Sequence, residues 1–210
     1  TSLILIGLVA VVSVLLLINS CGNAKKTYSM KDYTAGSSYE ADWQQVERFE
    51  RDGRTQDAKK VVQQIYEKAQ TDKNDAQRVK ALLHIYRYET YTEENSSDTV
   101  VARLKTEIAA AEQPTKSIMQ SILAELYWQY LQGNRYRILK RTELADPKQE
   151  TDFTKWSVSQ FNKEIARLYK TSLQYEDLKR LPIEGFKDII YNLENSDQKD
   201  VRPTLFDILA

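Results

Sequence analysis

The residues able to do chemistry are few and scattered. The chain holds one His and one Cys among 210 residues. A single Cys leaves no partner for an internal disulfide and excludes a CxxC zinc site. His84 stands between Leu83 and Ile85, and local spacing sets no Cys or Ser–Asp pair beside it. It reads as a helix residue at the edge of a core rather than a general base. Glu93, Glu94 and Asp98 lack the alternating Asp/Asn ligands and the Gly of a calcium loop, so they read as a solvated joint with a helix cap. There is no Gly-rich phosphate loop and no GxSxG. The expectation is a protein that is not an enzyme, with no catalytic residue, metal site or cofactor.

What stands out instead is aromatic. Among 13 Tyr and 3 Trp, several are bunched: Tyr86, Tyr88 and Tyr91; Tyr127, Trp128 and Tyr130; then Tyr136. Such side chains either fill a core with the hydroxyl at its edge, or form an exposed platform for a sugar or a protein partner. Neighbours such as Tyr127 and Trp128 point in different directions, so not all can be core. Tyr88, Tyr91, Trp128 and Tyr136 are the candidate partner-binding aromatics, and burial separates the two readings.

The elements that must position them are helical. Six Gly and four Pro argue against a turn-rich β fold, and no strand or hairpin signal is evident. Trp43, Val46 and Phe49 lie three apart and Gly53 closes that segment. Ala58, Val61, Val62, Ile65, Tyr66 and Ala69 form a second apolar stripe, entered through a cap at Thr55 or Asp57. A third helix follows Asn74-Asp75, and Asp98 is expected to cap a fourth. Pro114 opens a fifth that runs to Gly133-Asn134. Residues 135–155 read as an irregular connection between a first helical half, 39–134, and a second, 156–210. The second half predicts one helix from Trp156 to Leu173, a weaker one interrupted at Leu181-Pro182 and continuing through Leu193, and a last one beginning near Arg202-Pro203. The fold class is therefore all-α, an array of helical hairpins loosely like tetratricopeptide repeats. An amphipathic element reaching Ala210 gives the expectation that the native chain continues.

The address is written at the other end. Residues 3–18, LILIGLVAVVSVLLLI, are sixteen residues without a charge. That is short for a spanning helix and the right length for the core of a signal peptide. The run enters Ile18-Asn19-Ser20-Cys21, which resembles the lipobox of bacterial lipoproteins. The resemblance implies a signal peptide over 1–20, cleavage before Cys21 and a lipid on Cys21. Gly22 after the Cys, with no acidic run, implies the outer membrane and its periplasmic face. Residues 22–38 then read as a flexible tether, with a reach of about 50 Å at full stretch. Thr1 in place of Met gives the expectation that the first residues of the leader are missing. A net charge of zero gives no general attraction to nucleic acid.

Three stretches carry a further resemblance. W-x-x-V-x-x-F-E-x-x-G (Trp43 to Gly53) runs into A-x-x-V-V-x-x-I-Y-x-x-A (Ala58 to Ala69). P-x-x-x-I-x-x-S-I-L-A-x-x-Y-W-x-Y spans Pro114 to Tyr130, and R-P-T-L-F-D-I-L-A spans 202–210. Behind a lipoprotein signal, this is similar to the N-terminal helical region of the large bacterial alpha-2-macroglobulin-like lipoproteins. The resemblance implies a membrane-anchored spacer or interaction module of a protease trap, with proteases met by domains further along the chain. It brings no reactive residue, because the family's thioester needs a Cys and only Cys21 is present. A stand-alone helical scaffold of an outer-membrane assembly complex, or a glycan-binding lipoprotein, are the alternatives.

Overall fold

The computed structural model describes residues 39–92, 96–141, 151–190 and 198–210. The leader, Cys21 and the tether lie outside these residues, as do Glu93, Glu94 and the side chain of Tyr91. The fold is an all-α helical array. Among the described residues there is no strand, and Pro182 and Thr204 form a lone antiparallel bridge.

Helix α1 (Glu40–Arg51) has Glu40 and Asp42 in its first turn and Arg48 and Arg51 in its last. These charges complement the helix dipole at both ends. Gly53 then turns the chain at φ 71°, a left-handed conformation that costs a glycine little. Helix α2 (Thr55–Thr71) buries Ala58, Val61, Val62, Ile65, Tyr66 and Ala69, the face its apolar period predicts. It starts at Thr55, with Arg54 rather than Thr55 or Asp57 at the cap position, and Asp57 instead receives the Arg54 Nε–H at 2.9 Å. Before α3 (Asp75–Thr92), the Asn74 side chain accepts the Gln77 N–H at 3.1 Å and so closes that helix's first turn. Helix α4 (Ser96–Ala110) begins two residues before Asp98, which therefore sits inside the first turn. Helix α5 (Thr115–Gly133) follows Pro114.

The described parts of 135–155, residues 135–141 and 151–155, are more ordered than their polar sequence suggests. They hold a short helix α6 (Arg135–Leu139) and a 3-10 turn at Phe153–Lys155. Their Ile138 and Phe153 are buried. Phe153 lies 5.3 Å from Tyr127, 5.0 Å from Tyr130 and 6.2 Å from Trp156, ring centre to ring centre. One aromatic side chain so enclosed is enough to fix the local backbone. Ser157 then opens α7 (Val158–Ser172) with a reciprocal capping box to Gln160.

As far as residue 190 the expected helix is replaced by two 3-10 turns, Glu176–Arg180 and Ile183–Phe186, and its remainder to Leu193 lies outside the described residues. The residue before a proline disfavours the helical region, and Leu181 is extended. The freed backbone groups find partners far along the chain: Ile183 N–H donates to Pro203 O at 3.0 Å, and Leu205 N–H donates to Leu181 O at 2.8 Å. Helix α8 (Gln198–Val201) precedes α9 (Leu205–Leu209), which Thr204 and Asp207 close in a second capping box.

Consecutive helices pack on one another: α1 on α2, α2 on α3, α4 on α5, and α5 on α7. Two hydrophobic clusters result. One gathers α1, α2 and part of α3, from Tyr39 to Tyr88. The other runs from Ala76 to Leu209 and includes α4, α5, α7 and α9. Between these two clusters the packing divides within α3, where Leu82 touches both.

Candidate interaction surface

Within the first aromatic group Tyr88 is tied inward. It is 3% exposed on α3, and its hydroxyl donates to the Glu50 carboxylate on α1. Arg87 also donates to Glu50. His84, one turn earlier, stands 3.6 Å from the same carboxylate, and its ring lies 4.8 Å from that of Trp43. Burial pushes the His84 imidazole down to about 4; the Arg87 charge adds to this, Glu50 opposes it and Lys80 adds a smaller push. His84 is therefore uncharged at neutral pH, packed in the joint between α1 and α3. Burial, followed by the bond to Glu50, raises the Tyr88 hydroxyl. A second internal network joins α2 to α4: the Tyr66 hydroxyl donates to buried Glu107, which Arg78 approaches at 3.4 Å. Arg78 also reaches Asp75 at 3.0 Å, and Thr115 donates to that carboxylate at 2.7 Å. These charged groups pair across helix joints, although the buried Arg78 Nε makes no hydrogen bond.

The later aromatics point outward. Trp128 is 45% exposed on α5 and Tyr136 is 76% exposed on α6, with Leu139 at 58% beside them. Three of the four large apolar side chains exposed among the described residues thus fall within residues 128–139. Their neighbours in sequence do the opposite: Tyr127, Leu131 and Ile138 are buried. Tyr127 joins Phe153, Trp156 and Phe161 in one aromatic cluster, their ring centres 5.1 to 6.1 Å from its own. The split between Tyr127 and Trp128 follows from the 100° rotation between successive helical residues.

No protein-family model, curated protein or solved structure matches this chain. Its chemistry must be read from its own side chains.

Two hollows remain. A groove of about 560 Å³ runs between α3, α5, residues 189–190 and α9, lined by Leu83, Ile122, Leu126, Ile190 and Leu205. It adjoins a hollow of about 390 Å³ at Lys80, His84, Arg87, Lys187 and Asp188. Among the described residues no group of three or more His, Cys, Asp or Glu could hold a metal ion. No described helix is long and apolar enough to cross a membrane.

The sequence reading marked Trp128 and Tyr136 but passed over the cations around them. Arg135-Tyr136-Arg137-Ile138-Leu139-Lys140-Arg141 places four positive charges in seven residues. In a chain of zero net charge that run is a visible asymmetry, hidden only by its being counted as part of a loop.

Proposed function

We propose that this chain is the membrane-anchored helical spacer and interaction module of an alpha-2-macroglobulin-like lipoprotein, without catalytic chemistry of its own. The observation that carries the reading is the use made of the polar side chains at its helix joints. The Glu50, Tyr88, Arg87 group and the Glu107, Tyr66, Arg78, Asp75 group bind one helix to the next. Charged and polar side chains that tie helix to helix at the joints are what a rigid stack needs. The motif positions support the same reading, because they are scaffold positions. The first two stretches supply α1, its Gly53 turn and the buried face of α2; the third supplies α5; the last supplies the capped helix α9.

In this reading Cys21 bears the lipid, residues 22–38 are the tether, and the helical array holds whatever follows at a set distance from the outer membrane. Proteases are met by domains beyond this region. Mass spectrometry of membrane-extracted protein should find the mature N-terminus at Cys21 carrying acyl chains, and Cys21→Ala should release or misprocess the protein. An unmodified thiol on a retained leader overturns the anchor. A covalent adduct between this chain and an attacking protease overturns the spacer role. The exposed Trp128 and Tyr136 favour a second element in the proposal, that the module contacts a partner as well as bearing load.

A further inference from the structure

The joint between α5 and α6 places Trp128, Tyr136 and Leu139 on one side of a nearly continuous helical path. Asn134, at φ −113° and ψ 12°, interrupts the ladder but bonds to both helices: its N–H donates to Tyr130 O and Ile138 N–H donates to its carbonyl, both at 3.0 Å. At 100° per residue, positions 136 and 139 fall about 80° and 20° from position 128. Leu131 and Ile138, seven residues apart, are both buried and fall about 60° and 80° to the other side of position 128, which marks the inward direction. The three apolar side chains therefore form an outward stripe about 16 Å long.

The stripe is flanked by cations that no carboxylate among the described residues neutralises. Arg137 donates to the Tyr130 hydroxyl at 3.1 Å and to Asn134 Oδ1 at 2.8 Å, both uncharged acceptors. Lys140 Nζ lies 4.1 Å from the centre of the Tyr136 ring. Arg141 donates to the Trp156 carbonyl at 2.8 Å. Arg135 is exposed between them. From Leu126 to Thr142 the sequence has four cations and no Asp or Glu.

We infer that this surface, built on Trp128, Tyr136, Leu139, Arg135, Arg137 and Lys140, docks the helical domain onto an anionic lipid membrane. Indole and phenol rings favour the headgroup region, where one end is apolar and the other wet. Leu139 supplies area to bury beneath them, and each nearby cation is drawn to the negative surface potential. A protein partner would have to supply a carboxylate-rich apolar counterpart; a bilayer supplies both features in one plane. The inference rests on the domain's own surface and not on the lipid at Cys21, so either can fail alone. If both hold, the module has two membrane contacts and lies along the bilayer.

Trp128 gives a direct readout, because Trp43 and Trp156 are 7% and 8% exposed. The full chain, with its apolar leader, is mixed with phosphatidylcholine vesicles with and without phosphatidylglycerol, using brominated acyl chains as quenchers. The leader associates with both vesicles, so only tryptophan quenching reports the patch. With phosphatidylglycerol present, we expect a blue shift and a quenched component that Trp128→Phe removes. Arg135→Gln, Arg137→Gln and Lys140→Gln together should weaken it about tenfold or more, as should high salt. Far-UV circular dichroism checks that this variant keeps its helices. Equal quenching on neutral vesicles, quenching that survives the triple substitution, or none at all overturns the inference. So does a Trp128 signal that responds to single-stranded oligonucleotide instead of lipid.

Discussion

The Trp43 indole N–H donates to Gln77 Oε1 at 2.6 Å, a buried bond between α1 and α3, and Gln77 Nε2 in turn lies 3.3 Å from Asp188. Gln77 is fully buried, so its amide has no recourse to water. One side chain thus links the first hairpin to the turns that follow α7. Trp43→Phe keeps most of the ring but leaves the Gln77 oxygen without its donor. The expected cost is about 1–3 kcal/mol, measured by urea unfolding. A neutral result would show that this bond is not holding the joint.

Stability should fall as pH drops from about 6.5 to about 4. His84 has its folded value depressed to about 4 from an ordinary 6.5, so within that window the unfolded chain binds the extra proton. The stabilisation is complete above the unfolded value and is lost on acidification through the window. Its size is of order 2 kcal/mol. Glu50, which favours the charged ring, and Arg87 and Lys80, which disfavour it, set the window. Denaturant midpoints taken from pH 7 to pH 4 should show this slope in the wild type and a shallower one in His84→Gln.

Alanine substitutions should divide the candidate aromatics. Tyr88→Ala removes a buried ring and the partner of Glu50, at a cost of about 3–5 kcal/mol. Tyr136→Ala removes an exposed ring and should change stability by about 0.5 kcal/mol or less. Thermal melts of the two variants decide it. Similar losses in both would contradict the exposure at α6.

Phe153→Ala tests the order of a stretch whose composition reads as loop. Phe153 is 4% exposed against four other rings, and its removal should cost about 3–5 kcal/mol by urea unfolding.

Phe153 also marks the limit of what the sequence makes legible. Helices α1 to α5 are readable because each carries its own apolar period, as Ala58, Val62, Ile65 and Ala69 do on α2. Ile138 and Phe153 stand alone among charges, and only contacts brought from α5 and α7 bury them. Residues 181–186 mislead for a related reason. Ile183 and Phe186 have a helix-like spacing, but Pro182 breaks the local ladder and residues 203–205 offer a competing set of backbone partners. On the surface, Trp128 and Tyr136 are visible as candidates by residue type. Their outward direction depends on which face of α5 meets α7, which no local pattern states.

The two hydrophobic clusters differ in how soon a growing chain can complete them. The first uses residues 39 to 88 only, a contiguous stretch that is in hand early in synthesis or export. The second needs Leu205 and Leu209, and the backbone of Leu181 and Ile183 waits for residues 203–205. A ribosome or translocon that releases this chain N-terminus first would therefore deliver a closed α1–α3 unit while Leu83, Ile122 and Leu126 still lacked their last neighbours. Over that interval the open side of α5 is the surface a holdase would have to cover.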